Sequence, residues 1–321
     1  MKKNDKLIGT LCGAFSSICF GFIPLFTLPM MKHGLHSPSI LAYRFLFAAI
    51  MLFIIAQVRH ISLRVTHKQL LILFLLGLIY TCSAWGLQIG YLFLTSGIAT
   101  VIHFTYPVYV IILMLLIYKQ RPHKLTIIAI SIAFLGVAFI GGLFGSSEAV
   151  SMMGFTIVAM TGLAYASYLV IVNKSVVRDL NSITLSFWAL SSSSLAFTCI
   201  SFFSGGLQPI SVPTDWILML LLALLCTVVA NILMVAGVKK VGSTITSVLG
   251  ALEPLTAVLV GFLVFEEALN ATRVIGIALI VFSVLLIALS GRIAYILEVQ
   301  KLKRRHSKKP KALSDVRNEV K

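Results

Sequence analysis

Ionisable side chains inside apolar stretches are where this chain can do chemistry, and it has very few of them. Of its ten acids only Glu253 falls near the middle of an apolar run, while Glu266 and Glu267 close one. Of the bases only Arg44 and His103 lie within such runs. A charge surrounded by hydrocarbon costs several kcal/mol unless compensated, so each is a functional candidate by default. Arg44 sits near the end of its run, where snorkelling to headgroups is as good an account as binding. His103 also fits a neutral imidazole bonded to a neighbouring helix. Glu253 has no interface within reach, so an ion- or substrate-responsive carboxylate is its better account.

Polar and aromatic residues at helical spacing surround these three. They are Thr81, Trp85 and Gln88; Thr161, Tyr165 and Tyr168; Thr227 and Asn231; and Tyr106 beside Pro107, as Glu253 is beside Pro254. Each set can line a cavity for a small polar or amphipathic solute, or bond helix to helix with no ligand at all. Enzyme signatures are missing: there is no H-E-x-x-H, no G-x-S-x-G, and no G-x-x-x-x-G-K-[ST] loop for ATP. The five cysteines form no C-x-x-C pair and sit beside no histidine at ligand spacing. A metal site, a disulfide framework or a cofactor is therefore not expected.

The elements that hold these residues follow from composition. Of 321 residues, 59% are hydrophobic and 11% charged, with a mean hydropathy of +1.02. A soluble domain carries roughly a quarter charged residues, so the surplus here faces lipid. A spanning helix needs ~20 apolar residues. Ten runs meet that length: 7–28, 40–58, 70–93, 97–118, 125–144, 150–172, 183–203, 217–238, 243–265 and 274–290. The seventh carries four hydroxyls, Ser191–Ser194, which can bond to the helix's own carbonyls or to a neighbour. The run after Met1-Lys2-Lys3 is too long for a signal peptide and has no cleavage site, so it reads as a retained first helix.

Charge orients the runs. With the N-terminus inside, 23 of the 26 Lys and Arg fall on the cytoplasmic side, and only Lys32 and Arg273 fall opposite. That asymmetry predicts a multi-pass protein of the plasma (inner) membrane with both ends cytoplasmic. It also accounts for the net charge of +16. The cluster Lys301–Lys311 is a juxtamembrane tail attracted to anionic lipid. It has no interleaved aromatic platform, so nucleic acid is not the expected partner.

The ten runs divide into two sets of five. A shift of 147 residues lays Ser96 on Ser243, Ile98 on Ile245, Pro107 on Pro254 and Ile128 on Ile275. Each of those prolines is the only one in its run. Five is odd, so the second set enters the membrane from the opposite side. Inverted repeats with Pro-interrupted helices at matching places point to alternating access around a midplane site. The expectation is an all-α polytopic membrane protein of ten transmembrane helices in two inverted five-helix repeats. Residues 1–6 form a cytoplasmic tail, 7–144 the first repeat, 150–290 the second, and 292–321 a basic cytoplasmic tail.

Several motifs resemble the EamA family of the drug/metabolite transporter superfamily. They are Phe20-Gly21, Arg44-Phe45, Thr95-Ser96-Gly97-Ile98-Ala99, Tyr106-Pro107-Val108, Ala164-Tyr165-Ala166-Ser167-Tyr168, Leu252-Glu253-Pro254 and Gly276-Ile277-Ala278-Leu279-Ile280. The resemblance implies a ten-helix secondary carrier, often an exporter of amino acids or other metabolites, with its substrate cavity between the halves. Its implied partners are a small-molecule substrate, membrane lipid and, as a candidate, a coupling proton. Phe20 stands where the family usually has Trp, and Lys119-Gln120 replaces the Gly-Glu that commonly closes the fourth helix. Two other classes compete with this reading: a polytopic membrane enzyme, and a passive channel without coupled transport.

Overall fold

A computed structural model describes residues 3–90, 92–94, 99, 102–120, 122–140, 151–265 and 271–286. The described chain contains no strand, and its helices follow the apolar runs. In order they are α1 (Lys3–Gly21), α2 (Ile23–Lys32), α3 (Ser37–Val58), α4 (His67–Gly90), α5 (Tyr106–Leu116), α6 (Lys124–Ile140) and α7 (Met152–Lys174). Then come α8 (Ser182–Phe203), α9 (Pro213–Ala223), a π-helical stretch Leu224–Val229, α10 (Ala230–Val241), α11 (Ser243–Leu249), α12 (Leu252–Val264) and α13 (Ala271–Leu286). Seven of the ten expected runs form helices long and apolar enough to cross a membrane. The fourth, fifth and tenth form shorter apolar helices, with neighbouring residues outside the described ones. The C-terminal tail also lies outside them.

The outer surface is hydrocarbon: Leu71, Leu116 and Leu263 are each 70% or more exposed. In water such a surface would drive aggregation; in lipid it is the solvent-facing side. The seryl run leaves α8 unbroken, and two of its hydroxyls bond to backbone carbonyls. Ser192 donates to the Trp188 carbonyl at 2.9 Å, and Ser193 to those of Ala189 at 3.2 Å and Gly77 at 2.9 Å.

Close helix pairs form where glycines remove the side chain from the contact, as packing without a hydrophobic drive requires. The N-terminal end of α1 meets the C-terminal end of α10, where a Cβ on Gly9 would lie 2.6 Å from Lys240 Cβ and one on Gly237 would lie 3.1 Å from the Gly13 nitrogen. The start of α7 meets the end of α4 in the same way, where a Cβ on Gly154 would lie 2.8 Å from Phe93 Cβ and one on Gly86 2.5 Å from Thr161 Cγ2. Exchanging the halves turns the first pairing into the second. The α3–α8 contact, which that exchange maps onto itself, forms the centre, with Phe45 stacked on Phe197 at 5.0 Å.

Candidate functional site

Three interruptions in otherwise regular helices create the site. The first separates α1 from α2 at Phe22, just before Pro24. Gly21 is needed there, because a Cβ would fall on Thr256 Cβ and lie 2.6 Å from the Glu253 carbonyl. The break thus lets the chain pass directly against the start of α12.

The second interruption is duplicated. A proline lacks a donor, and its ring displaces the carbonyl four residues earlier. Turns precede both prolines: Phe104–Thr105 before Pro107 and Gly250–Ala251 before Pro254. Three-residue bonds tighten them, with Thr105 N donating to the Ile102 carbonyl at 3.1 Å and Glu253 N to that of Gly250 at 3.0 Å. Each proline then sits in the first turn of a new helix, where its missing N–H is harmless. Tyr106 and Glu253 consequently emerge at helix starts near the centre of the bundle.

The third is the π-helical stretch. Its wider turn is marked by the Thr227 hydroxyl, which reaches the Leu222 carbonyl five residues back at 3.2 Å. The Cys226 carbonyl is available to Arg44, whose Nη2 donates to it at 3.0 Å while Nε donates to Thr227 Oγ1 at 2.6 Å. Arg44 is 5% exposed, so it is clamped inside the bundle and does not snorkel.

These residues meet at a cavity of about 600 Å³. Glu253, Arg44, His103, Tyr165, Gln88 and Pro254 line it, among largely apolar neighbours. The lining comes from one half of the bundle: from α2 out to Met31, the end of α4 out to Leu92, and α12 with Phe265 and Arg273 beyond it. On the other side α5 packs on α11 and α7 on α10 and α11, around a separate, smaller pocket of about 270 Å³ lined by Met114, His123, Asn173 and Ser243. There Asn173 Nδ2 donates to Ser243 Oγ at 3.2 Å and Lys239 Nζ to the Leu180 carbonyl. Among the described residues, the lining of the cavity thus runs out towards the face that carries Met31 and Arg273.

Glu253 and Arg44 both line this space, yet no direct ion pair joins them, and the Glu253 carboxylate accepts no hydrogen bond among the described residues. His103 Nδ1 lies 2.8 Å from Thr161 Oγ1. The one hydroxyl hydrogen of Thr161 is committed to the Val158 carbonyl at 2.6 Å, so Nδ1 is the donor. A neutral His103 ring then keeps Nε2 as an acceptor.

Aromatic rings close the inner end of the cavity. Tyr106 meets Tyr165 edge-on at 4.8 Å and lies 5.8 Å from His103. Tyr165 stacks parallel to Tyr168 at 6.4 Å, and Tyr168 lies 5.3 Å from Tyr80. Four of the sequence candidates lie behind the lining. Tyr106 and Tyr168 are buried in this cluster, and Trp85 packs on the core. Asn231 is fully buried, with Nδ2 donating to the Thr227 carbonyl at 2.9 Å and Oδ1 unpaired. Pro107 is buried in the first turn of α5.

Tyr80 and Arg273 line the cavity and were not singled out from sequence. Tyr80 shares a helical stripe with Ala84 and Gln88, one residue round from the Thr81–Trp85 pair, and that spacing is the signal that could have found it. Arg273 reads in sequence as a loop charge.

A model of the EamA-like transporter family matches residues 7–142 and 152–289. The Uncharacterized transporter sll1319 of Synechocystis sp. is 24% identical over 206 residues, 63% of this chain and 61% of that one. The Uncharacterized transporter YetK of Bacillus subtilis is 26% identical over 207 residues, 62% of this chain and 61% of that one. The matched stretch thus spans about six tenths of each relative. One solved crystal structure superposes with a TM-score of 0.75 over 89% of this chain and 98% of its own, at 15% identity, which shows a shared fold. With the family model covering both halves, this multi-pass membrane protein belongs to the EamA-like transporter family.

Proposed function

We propose that the protein is a secondary transporter that moves a small metabolite across the plasma membrane by alternating access, with export as the direction and a proton as the coupling ion. Ten spans in two inverted five-helix repeats, 7–144 and 150–290, provide the two rocking halves. Both termini lie in the cytoplasm by the positive-inside rule, so the cavity described above faces outward.

The observation that carries this reading is a cavity whose lining runs out to one face, with a carboxylate that accepts no hydrogen bond among the described residues and the clamped Arg44 guanidinium on a largely apolar wall. Such a wall suits a zwitterionic metabolite with an apolar body, an amino acid or a molecule of that kind. Its carboxylate would meet Arg44 and its ammonium Glu253, and the tyrosines would cover its body. At about 600 Å³ the space is within the range of small-molecule sites, roughly 300–1,000 Å³.

Proteoliposomes loaded with a metabolite panel, with and without a pH gradient, test the proposal. Gradient-dependent movement of at least one zwitterion is the expected result. Equal, non-saturable leakage of all solutes would identify a passive channel instead.

A further inference from the structure

The two broken helices carry equivalent positions. His103 and Gly250 are each four residues before a proline, and Tyr106 and Glu253 each directly precede one. Only one of the two cross-contacts among these four is made. The Tyr106 hydroxyl sits on Gly250, so close that any Cβ there would collide with it. The reciprocal pair is open: Glu253 and His103 both line the cavity, and neither a hydrogen bond nor an ion pair joins them.

A carrier built from two exchangeable halves reaches its opposite state when each half adopts the conformation of the other. A contact between residue i of the first half and j of the second is then replaced by one between i + 147 and j − 147. Applied to Tyr106 on Gly250, that exchange gives Glu253 on His103.

We infer that Glu253 seats on His103 when the cavity closes at the Met31 face, while Tyr106 leaves Gly250. The inference rests on the alternating-access reading above. The two seats differ in chemistry. The Tyr106–Gly250 seat is steric and uncharged. The Glu253–His103 seat joins an acid to a base, because Nδ1 of His103 is occupied by Thr161 and Nε2 is the free acceptor. A protonated Glu253 donates its O–H to Nε2 of the neutral ring. An ionised Glu253 can make the same contact only with a doubly protonated ring. Closure at the Met31 face therefore requires a proton on the pair.

The other groups around Glu253 are Arg44 from α3, Tyr80 from α4, Tyr106 from α5, Tyr165 from α7 and Cys226 from the π-helical stretch, with Arg273 on the same cavity wall. Around His103 they are Thr161, Tyr106 and Tyr165. None of these neighbours of Glu253 is an imidazole, so His103 is the one ring-nitrogen partner among the described residues that line the cavity.

The test uses the full chain in lipid nanodiscs with its five native cysteines replaced. Two pairs are compared with a short bis-methanethiosulfonate cross-linker, because the length of a phenol separates the paired Cβ positions and is too far for a direct disulfide: Tyr106→Cys with Gly250→Cys, and His103→Cys with Glu253→Cys. Gly250→Ala is the lever. Its methyl collides with Tyr106 in the present state, whereas in the opposite state position 250 has the surroundings of His103 now, with room for a side chain. An Ala257→Cys reporter on the cavity wall measures opening by maleimide labelling.

The expected results are a cross-link in the first pair without further change, ~tenfold slower reporter labelling with Gly250→Ala, and a several-fold gain of cross-link in the second pair in that background. Slower labelling without the second cross-link overturns the Glu253–His103 seat and leaves alternating access standing. Unchanged labelling overturns the exchange of seats. Metabolite transport by the unmodified protein decides the underlying reading separately.

Discussion

Arg44 and Thr227 lie 183 residues apart in the chain, yet Arg44 Nε donates to Thr227 Oγ1 at 2.6 Å. The contact exists because a π-helical turn presents both the hydroxyl and the Cys226 carbonyl to one guanidinium. A planar fork can meet two acceptors in fixed directions, and an ammonium cannot. Arg44→Lys is therefore expected to insert normally and lose most transport despite keeping its charge. Thr227→Val leaves a buried N–H without its acceptor, at a cost of about 1–3 kcal/mol, which is read as a lower melting temperature in detergent. Wild-type stability in Thr227→Val would mean that the Cys226 carbonyl alone holds the side chain.

Glu253 lines the cavity and accepts no hydrogen bond among the described residues, so its carboxylate is not a structural tie in this state. Glu253→Gln keeps the shape and removes the ability to carry a proton. Expression and melting temperature are expected to stay near those of the parent, while gradient-driven uptake is lost. Substrate exchange without a gradient survives if the proton serves only the return step. Wild-type uptake across the pH range would reduce Glu253 to a packing residue.

Gly77 is where α4 comes closest to α8. A Cβ there would fall on Ser192 Cβ, and its own carbonyl accepts from Ser193 Oγ at 2.9 Å. Gly77→Val forces the helices apart and is expected to cost about 1–3 kcal/mol. Leu78→Ala, one residue round and 36% exposed on the lipid side, is expected to leave the melting temperature almost unchanged. Equal effects of the two would contradict the helix contact.

Orientation is open to direct labelling. In a background lacking the native cysteines, Lys32→Cys is expected to react with an impermeant maleimide added outside intact cells, and His123→Cys to stay unlabelled until the membrane is permeabilised. Both positions are exposed, so access to the reagent depends only on the side of the membrane. Labelling of His123→Cys from outside would invert the assignment and turn the cavity inward.

Much of this architecture is legible in the sequence because lipid imposes a simple code: long apolar runs, basic loops on one side, and a proline wherever a helix must open. Pro107 and Pro254 could be matched by spacing alone, and they are where α5 and α12 begin. What the code omits is depth and partnership. Nothing local in Leu224–Val229 predicts a π-helical turn, since it arises with the α3 contact that supplies Arg44. The role of Gly250 is equally hidden, because the ring that needs its missing side chain belongs to the other half. Asn231 looks like a ligand by type but spends its amide on its own helix, while Tyr80, one step round α4, reaches the cavity. A single residue step of rotation separates lining from packing, and helical spacing alone does not resolve it.

The two prolines offer the sharpest separation of folding from transport. Pro254 is in the first turn of α12, and the Gly250 carbonyl that its ring displaces is taken by Glu253 N at 3.0 Å. Pro254→Ala restores an N–H that can compete for that carbonyl and regularise α11 into α12. A straighter helix would swing Glu253 away from the cavity and lift Gly250 from under Tyr106, so both the carboxylate and the steric seat are disturbed. Insertion and yield are expected to stay normal while the transport rate falls severalfold. Pro107→Ala acts on the equivalent turn, where the residue before the proline is Tyr106, which carries no charge. Its effect is expected to be milder and to leave the dependence on a pH gradient intact. Initial rates in proteoliposomes, compared at matched protein density, separate the two variants. A double variant with full activity would show that both breaks serve packing alone, and that the cavity opens and closes by some other element.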